Sequence, residues 1–150
     1  MKTVIQRVQN AKVRIAGEIV ASINLGLLVL VGIEEADTSD DYVWLSKKIT
    51  NMRIFSDENS KMNHSVLDVD GAIIVVSQFT LHASTKKGNR PSYIKAAKPN
   101  TAIPLYHAFV KQIETDLGKA IQTGEFGANM QIELCNDGPV TILIDSKNKE

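Results

Sequence analysis

The chain has 150 residues, 43% hydrophobic and 23% charged, the make-up of an ordinary globular protein rather than a fibrous, disordered or membrane chain. Lys and Arg number 17 and Asp and Glu 17, so no global field marks out a polyanion partner, and any basic surface has to be local. One cysteine, Cys135, rules out an internal disulfide and suits a reducing cytosol, while the charged start and short apolar runs imply neither signal peptide nor membrane span.

No repeat, linker or low-complexity stretch divides the chain, which reads as one domain over residues 1–150. Residues 2–9 and 12–16 are predicted strands, the second with Val13 and Ile15 alternating with Lys12 and Arg14. Gly17 turns the chain into residues 18–24, where Ile19, Ala21 and Ile23 continue the alternation. Residues 27–33, LLVLVGI, lack polar alternation and read as a strand covered on both faces. The period then changes. Thr38, Ser39 and Asp40 are candidate caps for a helix over 38–52 that sets Tyr42, Leu45, Ile49 and Met52 at helical spacing. Strands are expected at about 53–56 and 72–80, with SDENS as a turn after the first. Pro99 and Asn100 lead into a second helix over 101–118, striped by Leu105, Phe109, Ile113 and Leu117, with Pro104 in its first turn and Gly118 as its stop. Strands return at 120–123, 130–135 and 140–145. Many strands with two segregated helices argue α+β rather than a doubly wound sheet.

Four apolar residues, 73–76, deliver the chain into Ser77-Gln78-Phe79-Thr80. Polar groups at the end of a buried strand are held by the core behind them, which suits a site. More often such groups satisfy neighbouring backbone. The histidines, His64, His82 and His107, do not stand at ligand spacing with one another or with a carboxylate cluster, so no metal or cofactor is implied. Cys135 shares a strand face with Gln131 and Glu133 and reads as inert. Lys86, Lys87 and Arg90, around Gly88, either grip phosphates or form a solvated loop. Phe126, between Gly124 and Gly127, either plugs a core edge or lines a pocket. Gly138-Pro139 stands at the door of the last strand and is either a turn or a tool, and it is one of four X-Pro bonds where a cis peptide is cheap.

Taken together these stretches resemble the D-aminoacyl-tRNA deacylases over essentially the whole chain. Ser77-Gln78-Phe79-Thr80 and Asn136-Asp137-Gly138-Pro139-Val140-Thr141 match the family's two motifs in order and spacing. Residues 4–8, 26–34, 53–63, 86–92 and 124–130 resemble its intervening pieces. The resemblance implies an α+β, β-rich, compact β/β/α layered domain with two main helices, homodimeric and cytoplasmic. It implies hydrolysis of the ester joining a D-amino acid to the terminal ribose of tRNA, without metal or cofactor, and in some members removal of glycine. It assigns catalysis to Gln78, Phe79 and Thr80, substrate binding and specificity to Ser77, Phe126, Met130, Gly138 and Pro139, and tRNA contact to Lys86, Lys87 and Arg90. It also implies a cis Gly138–Pro139 bond whose backbone enters the partner subunit's site as a rigid wedge, rejecting L-amino acids and letting glycine pass. No evident base activates Thr80 for attack, so water assisted by the ribose 2′-hydroxyl is the expected nucleophile, with backbone donors near Phe79 and Thr80. Two other classes compete: a non-catalytic nucleic-acid-binding module, which the 5% aromatic content disfavours, and a tRNA-independent small-molecule hydrolase or deaminase at an oligomer interface.

Overall fold

The computed structural model describes all of residues 1–150. Its first strand, β1 (Lys2–Ile15), runs unbroken where the sequence predicts two. Gln9 and Asn10 are exposed and interrupt the apolar alternation, yet the strand continues because Asn10 pairs with Cys135 and Ala11 with both Leu134 and Ile23. Pairing with the last strand slips twice between Gln6 and Asn10, and the slip changes which face is buried. Before it, Ile5 enters the larger of two core clusters; Val8, within it, and Ala11 and Val13, beyond it, enter the smaller.

β2 (Glu18–Ile23) returns antiparallel along the second half of β1, and β3 (Gly26–Gly32) along the first half. All but one residue of β3 are buried, as its unbroken apolar run predicts. A small hairpin, β4 (Phe55–Ser56) and β5 (Met62–His64), follows the first helix. β6 (Ala72–Ser77) then lies parallel to β3, with Ser77 level with Val31. It stops short of the expected residue 80, because Phe79–His82 wind into a 3₁₀ turn. β7 (Gln122–Thr123) adds a parallel edge to β6, and β8 (Met130–Asp145) runs along the other side of β1. The sheet order is β2-β1-β3-β6-β7, with β8 on β1. The Ser22 N–H donates to Gln122 Oε1 at 3.2 Å, so β2 and β7 approach and the sheet curls into a near-barrel.

Helices α1 (Ser39–Asn51) and α2 (Pro99–Leu117) cover one face of that sheet. Thr38 caps α1, and its N–H donates to Asp41 Oδ2 at 2.7 Å. Leu45 and Ile49 are buried as predicted. α2 starts at Pro99, two residues earlier than its expected span, so Pro104 falls in the second turn rather than the first. The buried stripe is Ala102, Tyr106, Phe109, Ile113 and Leu117, with Tyr106 displacing Leu105. Gly118, at φ +77°, ends the helix in a left-handed conformation that side chains resist. The Tyr106 hydroxyl donates to the Val75 carbonyl at 2.9 Å, and burial pushes its phenol up to about 12.

A buried polar knot joins distant parts of the chain. The Met1 ammonium is fully buried and donates to Asp37 and to Ser146 Oγ. Ser146 Oγ donates to Asp41 Oδ1 at 2.6 Å, and Lys147 Nζ lies 2.8 Å from Asp41 Oδ2. Burial alone would raise the Asp41 carboxyl, but the bonds from Lys147, Ser146 and the Thr38 N–H outweigh it and hold the carboxyl well below its ordinary range. No helix is long and apolar enough to cross a membrane.

Candidate active site

The parallel register of β3 and β6 sets the ends of both strands side by side, and a cleft of about 290 Å³ opens there. Ser77, Gln78 and Phe79 form one wall, and residues 126–130 with Ile132 form the facing wall. Val31 and Ile33 close the floor with Ala97, just before α2, and Ala102, in its first turn. Phe126 lines the cleft rather than only plugging the core edge, its ring 5.7 Å from that of Tyr106. Met130 lies over Gly124, where a side chain would meet its sulfur.

Of the residues singled out in sequence, the cleft gathers Ser77, Gln78, Phe79, Phe126 and Met130. Thr80 is adjacent but does not line it; its hydroxyl receives a hydrogen bond from Gln78 Nε2. The lining residues include no carboxylate, histidine, lysine or cysteine. His82 is buried behind the motif, beside Gly32, with no partner for Nε2. Phe79 is 57% exposed and packs edge-on against Tyr93, ring centroids 5.1 Å apart. That contact ties the cleft to the loop of Lys86, Lys87 and Arg90, whose neck is closed by paired backbone bonds between Ser84 and Ser92. All three cations are exposed.

Gly138 and Pro139 lie elsewhere. β8 pairs with β1 up to Asn136 and again from Thr141, and residues 137–140 bulge out between. Asn136 clamps the neck: its Oδ1 accepts from the Val140 N–H at 3.0 Å and its Nδ2 donates to the Val140 carbonyl at 3.2 Å. Arg7 braces the bulge from below. Its Nε lies 3.2 Å from the Asp137 carbonyl and 3.1 Å from Asp137 Oδ2, and its Nη1 donates to the Ile54 carbonyl at 2.6 Å. The Gly138–Pro139 bond is cis, and both residues are exposed. Gly138 sits at φ +123°, where a Cβ would lie 2.8 Å from Val140 Cγ2 and 3.1 Å from Arg7 Nη2. Glycine is required there for both conformation and space. Pro139 is seven residues beyond Ile132, up to about 23 Å at ~3.3 Å per residue, and neither it nor Gly138 lines the cleft of its own protomer.

Sequence reasoning missed Val31, Ile33, Ala97, Ala102 and Asn129 as cleft residues, Tyr93 as a support for Phe79, and Arg7 as the brace. Only knowledge of the parallel β3–β6 pairing would have pointed to the first two. Arg7 carried a weak signal, as a charge inside an otherwise apolar strand pattern.

The family described as D-Tyr-tRNA(Tyr) deacylase matches residues 4–145. The chain belongs to the D-aminoacyl-tRNA deacylase family. It is accordingly an ester hydrolase. It is 65% identical to the D-aminoacyl-tRNA deacylase of Parabacteroides distasonis and 67% identical to that of Flavobacterium psychrophilum, each over 100% of both chains. Among solved structures, one described as c-Myc DNA Unwinding Element Binding Protein is 40% identical and superposes with a TM-score of 0.92 over 97% of this chain and 98% of that one. A probable eukaryotic D-amino acid tRNA deacylase shares the fold at 15% identity, with a TM-score of 0.81 over 95% of this chain and 97% of that one. The deacylase motifs thus fall on two separate features, the first in the cleft wall and the second on the bulge.

Proposed function

We propose that this chain hydrolyses the ester of D-aminoacyl-tRNA, releasing free D-amino acid and tRNA, and acts on glycyl-tRNA as well. The observation that carries this reading is the cleft itself: in a chain of this family, the first motif's Ser77, Gln78 and Phe79 converge with Phe126 and Met130 on a space sized for one aminoacyl group. D- and L-esters carry the same groups and differ only in placement, so an apolar pocket alone separates them weakly. A fixed obstacle separates them better. The braced bulge is such an obstacle, and its place outside its own cleft calls for a second copy.

In this reading two protomers pair so that Gly138-Pro139 of each closes the other's cleft. The features that favour pairing are the exposed bulge, a β8 outer edge with no strand on it, and Leu143 on the same strand, 76% exposed. An L-side chain meets the bulge, a D-side chain points away from it, and glycine has nothing to collide.

Chemistry falls to water. With no side-chain base among the lining residues, and Thr80 turned to Gln78, the substrate's own 2′-hydroxyl assists the attacking water. The Phe79 and Thr80 N–H groups open the 3₁₀ turn and lack partners within it, which fits them to stabilise the developing oxyanion. Gln78, held by the Thr80 hydroxyl, orients the substrate, and the loop of Lys86, Lys87 and Arg90 holds phosphates. Incubation with D-tyrosyl-, L-tyrosyl- and glycyl-tRNA tests the reading: the first and third should be cleaved and the second spared. Sedimentation should give about 33 kDa, twice the 16.5 kDa chain. A fully active monomer removes the cross-subunit part, and equal cleavage of both tyrosyl esters removes the wedge.

A further inference from the structure

We propose that the outer face of α1 around Trp44 is a second RNA-contact surface, gripping the tRNA away from its aminoacyl end; this rests on the tRNA-substrate reading above. Trp44, Lys47, Lys48 and Asn51 recur at the spacing that puts residues on one helix face, and they rim a surface depression floored by Met52 and Ile144. None of these residues belongs to the cleft. Lys149 reaches in from the C-terminal segment with its Nζ 4.7 Å from the indole centroid, and Lys48 Nζ stands at 5.7 Å.

Lys47, Lys48 and Lys149 are exposed, and none has a carboxylate within ion-pair distance, although acids and bases balance in the chain as a whole. Lys48 has a local reason to be there, since a cation in the last helical turn complements the helix dipole. Lys149 has another, if its contact merely latches the tail onto α1. Neither reason covers Lys47, nor the concentration of three unpaired cations around the single indole. A phosphate backbone explains all of them together. Phosphates draw the ammonium groups off the ring, and the uncovered indole then offers a stacking face to an unpaired base. RNA is favoured over an acidic peptide because a peptide carboxylate would use the cations and leave the aromatic face unused.

Trp44 is the only tryptophan, so the protein's intrinsic emission reports this surface directly. Adding uncharged tRNA to the full protein at low salt should quench that emission saturably, and added salt should restore it. Replacing Lys47, Lys48 and Lys149 together by Gln should raise KM for D-aminoacyl-tRNA about tenfold at low salt and flatten its log–log salt slope by about 2. The same change should leave kcat, and the hydrolysis of a D-aminoacyl-adenosine too short to reach α1, unaltered. Unchanged emission at tRNA concentrations that saturate hydrolysis, or an unchanged KM in the triple variant, overturns the proposal and leaves a tail latch. Failure of the wild-type protein to cleave either ester would instead strike the substrate reading, while the emission titration with uncharged tRNA would still decide whether α1 binds RNA.

Discussion

Replacing Arg7 by Met separates the brace from the bulge while keeping a long unbranched side chain. The guanidinium, 9% exposed, serves three acceptors: the Ile54 carbonyl at 2.6 Å, the Asp137 carbonyl at 3.2 Å and Asp137 Oδ2 at 3.1 Å. Ile54 is buried, so its carbonyl loses its bond without replacement by water, at a cost of about 1–3 kcal/mol. The Asp137 carboxylate is 31% exposed and can hydrate, so its share is at most about 1 kcal/mol. A loss of about 1–4 kcal/mol corresponds to a fall in Tm of roughly 2–16 °C for a chain of this size. If the bulge excludes L-side chains, a loosened bulge should also raise kcat/KM for L-tyrosyl-tRNA relative to D, by about tenfold for each 1.4 kcal/mol of lost discrimination. Calorimetry and paired rate measurements on one preparation read both quantities. Arg7→Lys, which keeps the charge and one donor, should fall between. A Tm within about 1 °C of wild type refutes the bracing role; a lower Tm with both rates falling in parallel refutes the link to selectivity.

Gly138→Ala should lower Tm and slow D-ester hydrolysis together, since the new methyl meets Val140 Cγ2 and Arg7 at a φ of +123°; wild-type behaviour in both assays would contradict the crowding described. Neutralising Lys86, Lys87 and Arg90 together should raise KM and flatten its salt dependence, and an unchanged slope would return that loop to solvent. Thr80→Ala should keep kcat within about tenfold of wild type, whereas a nucleophile's loss costs several orders of magnitude; a trapped acyl-enzyme on Thr80 would falsify the water route. Asp41→Asn should flatten the acid side of the stability profile. The Asp41 carboxyl is depressed on folding, so its contribution is complete above the ordinary value of 3.8 and fades as pH falls below it, which denaturation at pH 2–7 will show.

The fold was most legible where burial forces a pattern. The run of apolar residues in β3 and the capped periodicity of α1 predict those elements because each has one partner face that packing must satisfy. Predictions slipped where a partner distant in sequence decides. Asn10 and Ala11 look like a strand break until β8 pairs beside them, and Tyr106 rather than Leu105 is buried because its ring packs on Phe126 and its hydroxyl donates to the Val75 carbonyl. The cleft was half legible. Ser77, Gln78 and Phe79 end a buried strand, and Phe126 is an apolar ring on a glycine-flanked turn, both local signals. Val31, Ala97 and Ala102 carry no such signal, since apolar residues lining a cleft look like any others. That Gly138 and Pro139 stand outside the cleft follows from the β1–β8 register, which spacing along the chain does not encode.

That register also governs when the molecule can be finished. Among these strands β1 is made first and β8, its neighbour along nearly the whole length, last. During synthesis β1 can pair with β2 and β3, but its other edge waits for residues 130–145. Closure is therefore late, and it is entropically demanding because the pairing spans most of the chain. Until then a long apolar strand edge lies open, the kind of surface on which nascent chains aggregate or recruit chaperones. The interval before residues 130–145 pair should thus be the most vulnerable stage of folding.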